Sequence, residues 1–516
     1  MNKRIFTIAW MVFALSNMGL YAQSKIGLQM LHDEQWRSAE KEFSKSSTDE
    51  DIFYRGFCEM KIDEPEKAKT TFQSIATKPY GKIGLGWMEL NAGNNEGAKK
   101  LFQEAANETK NKNADIFVAI ARAIYNSTAA HKEEAIEWAK KSVDMNKTSA
   151  YYRLIYGDSY KETLDGGSAI TQYEYAQTYE PNSPVSYGTT GQVYYRSRNY
   201  KDALTNFKLA LEKDPNNLFA LKYMAQIYYN YKVYDTAKMY QAKLIELGDK
   251  NPEDMAMMAN IYFYQKDHEG AINIISEIIK GNNKYNYLNR IIGYSYQETG
   301  KNQDAINFLE KFFQTQPKDK IIASDYEYLG KAYLGIGDTV KSVEAMKQSV
   351  DLFPEDKDAM RSVADLFKKM KRNQDALELY KKLAAMPDAV VSDHLKLANI
   401  YFYQLRDFDN ADAVYTKVIE LSPNQVDVYF NKAKIKLFKE PNQETSSAKE
   451  DFAKYLEMTK GKEEKYKKNV VEANIYMAKD ALLKLNDKVL AKTYLDAVQL
   501  LDPNHVELPS LMENVK

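Results

Sequence analysis

A small residue recurs at one fixed interval through the middle of this chain. Gly157, Gly191, Ala225, Ala259 and Gly293 are each 34 residues apart. An alanine follows each of them at a common distance: Ala169, Ala203, Ala237, Ala271 and Ala305. A tyrosine lies three residues after each small residue, at Tyr160, Tyr194, Tyr228, Tyr262 and Tyr296, and Pro181, Pro215 and Pro317 share one further offset. A period of this length is one supersecondary unit repeated. Such a unit cannot bury its apolar face alone and must stack on its neighbours. The 516 residues are therefore read as an array and not as three or four globular domains. Within a unit, the spacing fits two antiparallel helices. Small residues let the backbones approach at the crossing, large ones fill the holes beside it, and proline stops the second helix.

The pattern resembles the tetratricopeptide repeat. The unit from Pro184 to Asn217 carries that family's small, aromatic, alanine and proline positions as Tyr187, Gly191, Tyr194, Ala203, Phe207, Ala210 and Pro215. The unit from Ala150 does so with Gly157, Tyr160, Ala169, Tyr173, Ala176 and Pro181. Downstream the pattern continues through Gly330/Tyr333/Pro354, Ala364/Phe367/Ala376/Tyr380 and Ala398/Tyr401/Ala411/Tyr415/Pro423, the last with one extra residue assigned to its inter-helix turn. Upstream, Gly27 with Ala39, Gly56 with Ala68 and Gly86 with Ala98 keep the internal offset at shorter periods, and Ala123 with Ala135 makes a weaker unit. The resemblance implies an all-α, right-handed superhelical solenoid of about 14 antiparallel helix pairs. Irregular repeats are expected over 23–148, a regular array over 149–425, and degenerate repeats with a cap over 426–516. The polar stretch Thr459–Lys468 reads as a loop or solvated helix end within that last region.

Residues 1–22 read as a signal peptide. Lys3 and Arg4 precede an apolar run from Ile5 to Leu15, too short to span a membrane comfortably, and Leu20-Tyr21-Ala22 offers a cleavage site that leaves Gln23 first. The Tyr-Ala-Gln ending resembles exported proteins of the Bacteroidota. An uncleaved anchor is the alternative. No cysteine follows the run, so no lipoprotein anchor is expected, and no later apolar run reaches spanning length. The expected location is the periplasm, with association to the outer membrane as a variant of that reading.

Charge and side-chain chemistry narrow the function. Lys+Arg (71) and Asp+Glu (72) nearly cancel, which argues against nucleic acid as a partner. The single cysteine, Cys58, reads as a buried small hydrophobe. His32, His131, His268, His394 and His505 fall in no metal-ligand spacing, and no phosphate loop or nucleophile elbow is present. Neither metal, cofactor nor enzymatic activity is expected.

The resemblance places the first helix of each unit on an inner, concave wall, and transfers wall positions residue by residue. These are Gln192, Tyr195 and Arg196; Gln226, Tyr229 and Asn230; Asn260, Phe263 and Tyr264; Arg290, Tyr294 and Gln297; and Asn399, Phe402 and Tyr403. Carboxamides interleaved with aromatics suit an extended peptide: amides bond its backbone, and rings supply apolar area at little entropic cost. The family's carboxylate clamp is incomplete, because Gln226 and Tyr294 stand where Asn260 would need matching partners. The expected function is a protein-binding scaffold or adaptor of the cell envelope, holding partner peptides or helices. Capture of glycans on exposed aromatics is the alternative. Asp235-Thr236-Ala237 and Asp338-Thr339-Val340 resemble the O-glycosylation acceptor of Bacteroidota periplasmic proteins, giving Thr236 and Thr339 as acceptors; helix capping is the competing reading. The sequons at Asn107, Asn126 and Asn146 matter only in a host with N-glycosylation.

Overall fold

A computed structural model of the chain describes residues 26–128, 132–280, 283–440 and 446–516. The expected signal peptide and His131 lie outside the described residues. These contain helices and turns but no strand. The chain divides into two compact units after Thr299.

In the first unit, a helix over 26–32 pairs with Trp36–Phe43. Seven further pairs follow: Asp49–Lys61 with Pro65–Gln73, Pro79–Asn91 with Asn95–Glu108, Ala114–Tyr125 with Glu133–Met145, Ala150–Glu162 with Gly166–Tyr179, Pro184–Arg196 with Tyr200–Lys213, Leu218–Asn230 with Tyr234–Leu247, and Pro252–Tyr264 with His268–Ile279. A 3-10 turn at Asn283–Leu288 then leads into Asn289–Glu298. The second unit begins with Asn302–Thr315. It continues as Ala323–Gly335 with Thr339–Leu352, Lys357–Lys369 with Asn373–Ala384, Val391–Asn399 with Phe408–Leu421, Val426–Lys439 with Lys449–Thr459, and Lys467–Leu483 with Lys488–Leu501; Leu508–Asn514 caps it. The short upstream periods have a plain cause: the second helices Trp36–Phe43 and Pro65–Gln73 are only 8 and 9 residues long.

The recurring small residue works by close approach. A Cβ at Gly56 would sit 2.4 Å from Phe72, one at Gly157 2.4 Å from Tyr173, and one at Gly191 2.8 Å from Phe207. The ring of the second helix thus lies flat on the bare backbone of the first, and all three rings are fully buried. Where that ring is a tyrosine, its hydroxyl is buried too and needs an acceptor. The residue just after the small one supplies it: Tyr173 donates to Asp158 (2.8 Å), Tyr380 to Asp365 (2.5 Å) and Tyr415 to Asn399 (2.6 Å).

Most of the first helices end on a left-handed residue, among them Leu164, Arg198, Lys232 and Lys266. The next N–H then returns to the carbonyl of the recurring tyrosine, as from Asp165 to Tyr160 (3.0 Å) and Asn199 to Tyr194 (2.9 Å). That same residue usually starts the second helix, its side chain accepting from Ser168 N at Asp165 and from Asp202 N at Asn199. The extra residue of the 398 unit is not in the turn as expected. It is absorbed inside the first helix as a π-helical stretch over Ile400–Leu405, closed by left-handed Arg406. Cys58 is buried, and burial pushes its thiol well above the ordinary range, which leaves it protonated and inert.

Candidate protein-binding wall

In the first unit the first helices of successive pairs touch one another directly: Asp49–Lys61 meets Pro79–Asn91, Pro184–Arg196 meets Leu218–Asn230, and Pro252–Tyr264 meets Asn289–Glu298. The first helices therefore form the inner, shorter side of that unit, as the repeat pattern implies.

Their expected wall residues make a ribbon of rings that bridges pair to pair. Tyr195 packs against Tyr223 of the next first helix at 5.0 Å, Tyr229 against Tyr264 at 5.8 Å, and Phe263 against Tyr294 at 5.9 Å. Tyr200, Tyr234 and Tyr264 add tilted, edge and stacked contacts beside it. Burial, the first cause in each case, raises the Tyr195 and Tyr229 hydroxyls above the ordinary tyrosine range, so both stay neutral donors at physiological pH. Tyr264 remains 49 % exposed and Asn230 is exposed; Gln226, Tyr229, Asn260, Phe263, Arg290 and Gln297 are half-buried.

Several expected wall residues are committed to the fold instead. Tyr294 is only 5 % exposed and packs on Phe263. Gln192 is buried with both amide ends used, accepting from Lys161 (2.8 Å) and donating to the Tyr223 hydroxyl (2.5 Å). Arg196 pairs with Glu162 at 2.9 Å. In the second unit Asn399 accepts the Tyr415 hydroxyl, and Phe402 is 8 % exposed among Tyr403, Phe408, Tyr415 and Phe438. Tyr403 is open, at 58 %, although its hydroxyl donates to Asn431.

The two tripeptides separate. Asp338 caps its helix by accepting from Lys341 N (3.0 Å), and Thr339 is exposed beside it. Asp235 is not a cap. It lies inside the first turn of Tyr234–Leu247, whose cap position is Val233, and accepts from Gln265 (2.6 Å), with Thr236 half-buried.

One feature of the first unit has no counterpart in the repeat pattern. The hairpin of residues 26–43 folds onto the pair at 218–247. His32 packs on Phe219 at 4.9 Å, Glu34 pairs with Lys222, and Asp249 N donates to Gln35 (2.5 Å). Asp249 in turn accepts from Arg37 N (3.0 Å) and Ser38 N (3.3 Å), at the start of Trp36–Phe43. That helix has no capping side chain of its own at Gln35, so it is capped from 211 residues away. No local motif announces such a contact.

Among the described residues there is no cluster of His, Cys, Asp and Glu suited to a metal, and no helix long and apolar enough to cross a membrane. Family models described as tetratricopeptide repeat match residues 184–217, 329–389 and 394–425. No curated protein matches. Among solved structures, the C-terminal part of a TPR repeat-containing protein from Cytophaga hutchinsonii is 23 % identical, with a TM-score of 0.43 over 50 % of this chain and 98 % of that one. MamA protein is 22 % identical, with a TM-score of 0.30 over 33 % and 92 %. PilW, a widely conserved type IV pilus biogenesis factor, is 14 % identical, with a TM-score of 0.33 over 40 % and 94 %.

Proposed function

We propose that this chain, which matches tetratricopeptide-repeat models over 184–217, 329–389 and 394–425, is a scaffold for protein–protein interaction that is exported to the cell envelope and holds a peptide or helix of a partner against its inner wall. The observation that carries the reading is the ribbon from Tyr195 to Phe263, where ring-to-ring contacts run from one first helix to the next. Rings fixed by one another lose little freedom when a ligand covers them. Gln226, Asn260 and Gln297 stand beside the rings with no side-chain hydrogen bond to other described residues. Their amides are available to an extended backbone, which needs both donors and acceptors. Export rests on the basic residues and short apolar run at the N-terminus.

The test is a crosslinking pull-down from the envelope fraction with the wild type and a Tyr229→Ala/Tyr264→Ala variant. Loss of the captured proteins in the variant supports the wall; an unchanged set places binding elsewhere. Tyr264 and Tyr403, both open, also suit sugar stacking. Saturable heat with oligosaccharides, and none with envelope proteins, would favour glycan capture.

A further inference from the structure

Closure of the 26–43 hairpin onto the first unit leaves a cavity of about 360 Å³ between that hairpin and the first helices of the following pairs. Its wall carries five cations, Lys61, Arg122, Lys132, Lys161 and Arg196, against three carboxylates, Glu34, Asp158 and Glu162. Each carboxylate already has a cation within ion-pair distance: Glu34 has Lys222, Asp158 has Lys161 at 2.9 Å, and Glu162 has Arg196 at 2.9 Å. Among the described residues, Lys61, Arg122 and Lys132 have no carboxylate within ion-pair distance.

Arg122 is the strongest member. It is only 6 % exposed, and its Nε and Nη1 are buried without any hydrogen-bond partner. A buried guanidinium with unmet donors is costly, and native interiors rarely tolerate one without a partner to come. The rings of Tyr54 and Tyr151 lie 5.4 and 6.0 Å from it, and their hydroxyls bond each other at 3.1 Å. The rings hold the cation in place but give its in-plane donors nothing to bond. His32, on the hairpin side of the same cavity, also has a buried Nε2 without a partner. Lys61 sits over Trp36 and Phe57 at 5.8 and 5.6 Å, so apolar wall adjoins the basic end. Burial lowers the Lys61 pKa; Glu34 and Glu162 oppose this, while Lys132 and Arg122 reinforce it. The three cations therefore feel one another across the space, and an anion between them would relieve that repulsion.

We propose that this cavity is an oxyanion site, which takes a small molecule through a phosphate or carboxylate group seated among Arg122, Lys61 and Lys132. The planar fork of a guanidinium matches either group in a bidentate fashion, and the two lysines add charge at its rim. Trp36, Phe57 and Phe219 would then face the remainder of the ligand. The size lies in the range of small-molecule sites. This site is built by the N-terminal hairpin and does not depend on the aromatic ribbon.

The full chain is titrated calorimetrically with sodium phosphate, disodium succinate and phenyl phosphate, each against sodium chloride at matched ionic strength. Saturable binding of at least one oxyanion is expected, about tenfold or more weaker in Lys61→Gln/Lys132→Gln and absent in Arg122→Gln. A response to the phosphates alone, or to succinate alone, supports the site and names its group. Both lysines are half-buried at the rim, so the double lysine variant carries the test if Arg122→Gln fails to fold. No saturable binding of any of the three, or equal binding by the lysine variant, overturns the proposal.

Discussion

The methyl group that alanine would add at residue 157 falls 2.4 Å from a ring carbon of Tyr173, while at residue 167 the nearest neighbour is 3.9 Å away. Both glycines are helical, so helix propensity alone favours alanine at each by about 1 kcal/mol. Packing decides between them. Gly157→Ala is expected to destabilise by about 1–3 kcal/mol, because Tyr173 is fully buried and cannot retreat. Gly167→Ala is expected to be neutral or stabilising by about 0.5 kcal/mol. Chemical denaturation of the two variants checks both signs. A second test concerns charge. Burial, with Asp115 and Asp51 nearby, raises the Glu50 pKa to about 7. The folded chain thus keeps a proton there that the unfolded chain releases near its ordinary value of 4.5. Stability from this group is complete below that value and is lost as pH rises through about 7. Glu50→Gln is expected to gain roughly 1 kcal/mol at pH 8 and little at pH 5. Thermal unfolding at both pH values reads this out, and an equal change at both would contradict it.

Helices were legible where one residue type carried one physical job. The recurring small residue marked the crossing, and the recurring tyrosine carbonyl closes the turn after Leu164, Arg198, Lys232 and Lys266. The spacing of Ala398 to Tyr415 showed that a residue had been inserted but not where. A turn and a π-helical stretch both accept one extra residue; here the stretch at Ile400–Leu405 takes it, and the contact between Tyr415 and Asn399 is kept. Wall residues were harder to read for a related reason. Position alone cannot tell an amide facing solvent from one used by the next helix. Gln226 and Gln192 occupy equivalent places, yet Gln192 is held at both ends by Lys161 and Tyr223. Asn399 is spent because its pair carries a tyrosine at the buried ring position, where Pro184–Lys213 carries Phe207. The signal was present in that tyrosine: a buried hydroxyl implies an acceptor on the facing helix.

At the scale of the whole molecule, each unit is a run of helix pairs leaning on their neighbours, and the first is further tied by its N-terminal hairpin. That tie depends on few groups. Asp249→Ala removes the acceptor at the start of Trp36–Phe43 and is expected to cost about 1 kcal/mol locally. Hydrogen exchange is expected to quicken over 36–43 and to stay unchanged over 184–213; protection unaltered in the hairpin would mean that the cap contributes nothing. The central claim is that partners are held on the inner wall of the first helices. A photo-crosslinking amino acid placed at residue 264, on that wall, or at residue 239, exposed on a second helix, tests this most directly in intact cells. Adducts with partner proteins are expected from position 264 and none from position 239. Adducts from 239 with none from 264 would contradict it.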